Sequence, residues 1–220
     1  MSALAILRSE ALYLYLSDIP APLGGSISRT AVADMEVISE DELVLSVAKL
    51  LPQTSKTVIP TVLVLSDELC FTQTVAEKSK EDDEKRLIGV TPFAHVATTT
   101  LTVQEQQYLI ATNQDYYESV SRALALRGYQ VTLVIPWSSL IHHGVTKGEV
   151  DMVTVKRVFD TMSDLRSSAF PLVVEKKESL STVPSTKGKP QQKFLWGWIV
   201  FGVGASAYAF AMYWFFIRGA

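Results

Sequence analysis

The sequence predicts an α/β (α+β) fold, a mixed sheet with flanking helices, followed by one transmembrane helix, and three observations carry the prediction. Apolar, β-branched runs of strand length alternate with stretches of helical period. A strand–helix–strand unit with clear punctuation closes that series between 106 and 136. Phe194 to Ile217 then runs without a charged residue between Lys193 and Arg218. At ~1.5 Å per residue such a helix reaches roughly 36 Å, enough to cross a hydrocarbon core ~30 Å thick with some tilt.

The elements follow in order. Ala3 to Leu7 and Leu12 to Leu16 alternate about Arg8-Ser9-Glu10 and read as a β-hairpin, and Pro20, Pro22, Gly24 and Gly25 then read as a loop or turn. Ser39, three residues before Glu42, makes a capping box for a helix whose apolar positions are Leu43, Val47, Leu50 and Leu51 and which Pro52 ends, giving a first unit ββα. Val58 to Leu65 reads as a strand buried on both faces, Ser66-Asp67-Glu68 as a turn, and Leu69 to Val75 as an alternating strand. Glu77 to Arg86 mixes both signs of charge and reads as a solvated helix face or loop.

Residues 94–103 and 106–112 read as a hairpin turning at Gln104-Glu105. Thr112 or Asn113 caps the next helix, Asp115 complements its positive end, Tyr116, Val120, Ala123 and Leu124 form its stripe, and Gly128 supplies the left-handed stop. Val131 to Pro136 is a buried strand whose short crossover favours parallel pairing. Asp151 to Ser168 places Val155, Val158, Met162, Leu165 and Ala169 at a/d spacing, a helix packed on the domain or, as the minority reading, a dimer seam. The domain organisation predicted is 1–150 cytoplasmic domain, 151–169 connecting helix, 170–193 flexible basic linker, 194–217 membrane helix and 218–220 outer tail.

The last stretch sets location. Trp196 and Trp198 at one end, with Tyr213 and Trp214 at the other, suit the two headgroup layers. Lys176, Lys177, Lys187, Lys189 and Lys193 precede the helix against Arg218 alone after it, so the positive-inside rule places the N-terminal side in the cytoplasm of a single-pass inner-membrane protein. Lys187, Lys189 and Lys193 can also meet anionic headgroups. Gly202 with Ser206, and Ala205 with Ala209, stand at small-xxx-small spacing that permits homo- or hetero-oligomers through the bilayer. The start, MSALAILRSE, has no basic n-region or long apolar h-region, so no cleavable signal is expected.

Candidate chemical sites are few. Net charge −3 and a pI near 5.7 argue against a nucleic-acid surface. The single cysteine, Cys70, suits a reducing compartment and reads as a small buried hydrophobe, with His95 as a distant, unpaired base. His142-His143 lacks a third ligand unless Asp151 or Glu149 supplies it, and reads as an exposed loop. No catalytic, metal or cofactor residue is assigned.

With the residues in hand, a resemblance emerges. TVLVLSDELCFTQTV (61–75), a charged segment leading to TPFAHV (91–96), a hairpin, and YLIATNQDYYESVSRALALRGYQVTLVIPW (108–137) are similar to the PilM family of pilus-assembly proteins, and resemble the cytoplasmic actin-like part of type II secretion L proteins. The matching positions are Leu65-Ser66-Asp67-Glu68, Thr91-Pro92-Phe93, Ala111 to Asp115 and Gly128 to Val134. The resemblance implies half of an actin-like (ribonuclease H-like) fold. It also locates a departure: where the family's first hairpin carries a phosphate-cradling glycine turn, this chain has Leu7-Arg8-Ser9-Glu10, without glycine and with a carboxylate that would repel phosphate. The expectation is therefore a non-catalytic, membrane-anchored scaffold of a type IV pilus or related secretion platform, with other platform proteins as partners. The alternative is a membrane-tethered actin-like nucleotide-binding ATPase, and a further domain after Ala220 stays open.

Overall fold

The opening hairpin forms as its alternation predicts. In the computed structural model, which describes residues 1–54, 57–75, 80–145 and 150–172, β1 (Ala3–Leu7) and β2 (Ala11–Leu16) pair antiparallel. Leu12, Leu14 and Leu16 enter the core from one face of β2, while Tyr15 packs on the other. The chain divides into two units, Met1–Val174 and Glu175–Ala220. The predicted membrane helix (194–217), the lysines before it and residues 173–193 of the predicted linker lie outside the described residues, as does Glu149. Among the described residues no helix is long and apolar enough to cross a membrane.

The Pro- and Gly-rich stretch is not a loop. Ile19–Ser26 forms β3, which pairs antiparallel with β2 at one edge of the sheet. An edge strand tolerates Pro20 and Pro22 because half of its N–H groups have no ladder partner to lose. Gly24, at φ +135°, also meets a steric requirement: a Cβ there would lie 2.1 Å from the Leu12 carbonyl oxygen. The first unit is thus three strands and a small hairpin of β4 (Val32–Ala33) and β5 (Glu36–Val37) before the helix. That helix, α1 (Glu40–Leu50), starts at Ser39, whose hydroxyl accepts from the Glu42 N–H at 3.3 Å.

β6 (Ile59–Leu65) pairs parallel with β1, and β10 (Tyr129–Pro136) pairs parallel with β6, giving the order β10-β6-β1-β2-β3. Pro60 is exposed and precedes Thr61, the first residue opposite β1, so its missing N–H costs no bond to that strand. Alternation sends Ala3, Ala5, Leu7, Leu63 and Leu65 to one face and Leu4, Ile6, Val62 and Val64 to the other. In β10 the register shifts between Val131 and Leu133, which turns Leu133 to the opposite face from Tyr129.

A second, three-stranded sheet has the order β7-β9-β8, from β7 (Phe71–Thr74), β8 (Val96–Val103) and β9 (Gln106–Asn113). Gln104 and Glu105, at φ 45° and 69°, form its hairpin turn without a glycine. The charged segment is α2 (Lys80–Val90), whose Leu87 packs with Val75, Leu109 and Ala111 while most of the described helix stays exposed. The predicted strand–helix–strand unit is therefore corrected in one respect. β9 and β10 flank α3 (Gln114–Leu126) but lie in different sheets, and the parallel partner of β10 is β6.

α3 has the ends its sequence prescribes. Asn113 is the N-cap, its side chain accepting from the Asp115 N–H at 3.0 Å and donating to the Met35 carbonyl at 2.9 Å. Gly128 takes φ +92° against Thr54. α1 and α3 pack side by side, and Leu43, Val47, Val120 and Leu124 belong to the same core as Leu63 and Leu65. The other face of the five-stranded sheet is covered by α4 (Trp137–His142), α5 (Met152–Asp160) and α6 (Met162–Leu165), through Leu140, Val155, Val158 and Leu165. The predicted continuous 151–168 helix is interrupted at Thr161, whose hydroxyl bonds back to the Arg157 carbonyl at 2.9 Å, and it ends in a 3₁₀ turn at Arg166–Ser168.

Candidate functional site

β1 leads into β2 on one side of the sheet, while β6 and β10 lie on the other, so the carboxyl ends of β1 and β6 form the point where connections diverge and a crevice opens. There Ile6 at the end of β1, Ser66, Asp67 and Glu68 after β6, and Trp137 after β10 line a cleft of about 320 Å³, together with Arg8, Tyr15 and Val150. That volume is at the lower end of the ~300–1,000 Å³ typical of ligand sites.

The β1–β2 turn borders the cleft and is held from two directions. From the core, the buried Tyr116 on α3 donates its hydroxyl to the Arg8 carbonyl at 3.0 Å and the Ser9 carbonyl at 3.1 Å. From the side, Glu68 Oε1 accepts from the Ser9 N–H at 2.8 Å and from the Ser9 hydroxyl at 3.3 Å. Glu68 is presented by a 3₁₀ turn, Asp67–Leu69, and the preceding Ser66 N–H is fixed to the Leu7 carbonyl at 3.0 Å. The chain's own carboxylate thus takes the donors that a bound anion would use. Glu10, in the same turn, pairs with Arg29 at 3.2 Å.

The remaining walls have distinct chemistry. The Arg8 guanidinium lies 5.8 Å from the centroid of the Tyr13 ring. Burial raises the Tyr15 phenol, with the Arg8 charge acting in the opposite sense. Burial also raises Tyr116, and the charges of Glu68 and Glu10 add to it, so its proton stays on the oxygen that holds the turn. Among the described residues, three buried side-chain polar atoms lack a hydrogen-bond partner: Ser66 Oγ, Trp137 Nε1 and Ser139 Oγ. Two of the three belong to residues that line the cleft, and a buried donor left unmet costs ~1–3 kcal/mol.

The other residues singled out in the sequence lie elsewhere. Cys70 caps the 3₁₀ turn just before β7 rather than lying within a strand, and burial, aided by Asp67, pushes its thiol up to about 12, which keeps it un-ionised at neutral pH. His95 is not unpaired: its Nδ1 lies 2.9 Å from Asp115 Oδ2, at an exposed position beside the start of α3. His142 and His143 are the last residue of α4 and its cap, not a loop. Among the described residues no group of three or more His, Cys, Asp or Glu side chains is placed to hold a metal ion. Gly202, Ser206, Ala205, Ala209, Trp196, Trp198, Tyr213, Trp214, Lys187, Lys189 and Lys193 are outside the described residues. Tyr15 and Trp137 line the cleft although nothing in their sequence context marks them, and Ser66-Asp67-Glu68, a turn in the sequence, reaches it as well.

No family model matches the chain, and no curated protein does. Among solved structures, it is similar to a chain of the PilM-PilN type IV pilus biogenesis complex, at 18% identity over 63% of this chain and 48% of that one, with a TM-score of 0.39. It is also similar to the cytoplasmic domain of EpsL, an inner membrane component of the type II secretion system of Vibrio cholerae. That match has 11% identity over 67% of this chain and 60% of the other, with a TM-score of 0.37. The chain thus spans about half to three fifths of the length of these two structures.

Proposed function

We propose that this protein is a non-catalytic, membrane-anchored adaptor in an assembly platform of the type IV pilus or type II secretion kind. In this reading its cytoplasmic domain is an actin-like half and residues 194–217 are its membrane anchor. The observation that carries the non-catalytic part is the Glu68–Ser9 contact, because it fills with a fixed carboxylate the turn where an actin-like nucleotide site would seat a phosphate. The strand order β3-β2-β1-β6-β10, with β2 antiparallel to its neighbours and β6 and β10 parallel to β1, supports the actin-like half. The uncharged run 194–217, with five lysines before it, supports the anchor and its orientation.

Two measurements on the full-length protein test this reading. A ligand at about 100 times its Kd stabilises a native state by ~2.7 kcal/mol, so thermal unfolding with and without millimolar MgATP separates adaptor from ATPase. The adaptor reading expects no change in Tm, and a rise of several degrees would replace it with the nucleotide-binding alternative. Retention in the membrane pellet after alkaline carbonate extraction is expected of the anchor, and release into the supernatant would remove it.

A further inference from the structure

We propose that β8 is a pairing edge on which a second copy of this chain adds its own β8, antiparallel about a two-fold axis, so that two three-stranded sheets join into one. The ladder to β9 decides which backbone groups of β8 are free. The Gln114 N–H donates to the His95 carbonyl at 3.0 Å, and that pair continues the register that sets Val96 opposite Asn113. Hydrogen-bonded pairs in an antiparallel ladder recur at every second residue. Ala97, Thr99, Leu101 and Val103 therefore bond β9, while Val96, Thr98, Thr100 and Thr102 turn their N–H and C=O groups outward from the sheet edge. Among the described residues no other backbone group bonds to these four. The 3₁₀ turn Arg166–Ser168 packs against β8 without making such a bond.

The other edges of the two main sheets are defended, and this one is not. β3 carries Pro20 and Pro22, the Val134 carbonyl on β10 accepts from the Phe170 N–H at 2.8 Å, and β7 has only four residues. β8 runs for eight residues without a charge, a proline or a register shift, and those are the devices that keep edge strands from pairing. The same composition points to a second copy as the occupant. A two-fold axis at Thr100 sets Thr100 opposite itself and Thr98 opposite Thr102 of the second copy, so outward groups meet outward groups at every pair and no like charges face each other. Thr98, Thr100 and Thr102 share one face of the strand, so the joint gains a row of cross-strand threonine pairs, which are favourable in sheets. A strand of different sequence would find no charge in β8 to select it. The inference goes beyond the adaptor reading and does not depend on the membrane anchor.

The test is the oligomeric state of the full-length protein in mild detergent, measured by native mass spectrometry. The wild type is expected as a dimer, at twice 24.3 kDa. Thr100→Pro removes an N–H that β9 does not use, so its circular dichroism should match wild type. The two bonds across the axis are lost, and the dimer dissociation constant is expected to rise about tenfold or more. In a Cys70→Ala background, Thr100→Cys is expected to form an intermolecular disulfide on mild oxidation, because paired strands bring the two Cα atoms to about 5.5 Å. Thr72→Cys, exposed on β7, is expected not to. A monomeric wild type, a dimer that survives Thr100→Pro undiminished, or equal crosslinking at the two cysteine positions overturns the proposal, and the cysteine pair decides if the proline variant fails to fold. Capture of platform proteins from membranes tests the adaptor reading separately.

Discussion

Replacing Tyr116 with Phe keeps the buried ring and removes only the hydroxyl that donates to the Arg8 and Ser9 carbonyls. A hydrogen bond of this kind contributes ~1 kcal/mol net, and a sealed carbonyl left bare would raise the loss toward ~3 kcal/mol. Arg8 is exposed and Ser9 half-exposed, so water reaches the abandoned carbonyls and the lower figure applies. The expected loss is about 1 kcal/mol, or a Tm lower by ~2–4 °C for a domain of this size. Urea unfolding of the full-length protein in mild detergent, followed by circular dichroism, should show a lower midpoint at unchanged slope. Because Glu68 holds the same turn from the other side, Glu68→Ala combined with Tyr116→Phe should couple by ~0.5 kcal/mol or more. A single-variant change below ~0.3 kcal/mol, or strict additivity, would refute the claim that the turn is clamped between the two side chains.

Other contacts of the fold give three further expected outcomes. Asn113→Ala should cost ~1–2 kcal/mol in the same unfolding assay, since both the α3 cap and the bond to Met35 are lost. Asn113→Ser keeps a neutral cap acceptor and should cost less, and equal losses would show that the cap is not the operative contact. Gly24→Ala should reduce the folded yield sharply, because the added Cβ would sit 2.1 Å from the Leu12 carbonyl oxygen; a stability within ~0.5 kcal/mol of wild type would mean that β3 shifts at no cost. His95 should titrate above its ordinary 6.5 because Asp115 bonds and attracts its charged form. Its contribution to stability is then present below the unfolded pKa and lost as pH rises through the raised folded one. Proton NMR of the His95 ring should show that midpoint, and Asp115→Asn should lower it.

What could be read in the sequence was what local chemistry decides. Ser39 and Asn113 are caps because a short acceptor next to orphan N–H groups needs no distant partner. The β1–β2 hairpin, β6 and the Gly128 stop follow from side-chain period and backbone permissiveness in the same way. β3 was missed because Pro and Gly mark loops in general, and only its place at the sheet edge makes them compatible with a strand. The sheet to which β10 belongs was missed because pairing with β6 is a contact across the chain that the short crossover around α3 does not reveal.

The break at Thr161 interrupts an intact a/d pattern through a side-chain-to-backbone bond that spacing alone does not show. The site was legible only at its periphery. The sequence displays Arg8-Ser9-Glu10 as a turn without glycine, but that Glu68, 59 residues after Ser9, closes it is a product of the fold. The same holds for Trp137, whose last-strand neighbours give no hint that its indole N–H would be buried without a partner.

The central claim is that this domain works by holding platform proteins together at a membrane. Its most direct test is crosslinking of the full-length protein in native membranes, followed by pull-down and mass spectrometry. The account predicts recovery of a pilus or secretion motor ATPase, an inner-membrane platform protein or a small single-pass subunit of such a machine. Recovery of none of these, with the protein itself captured in good yield, would contradict the assignment to an assembly platform.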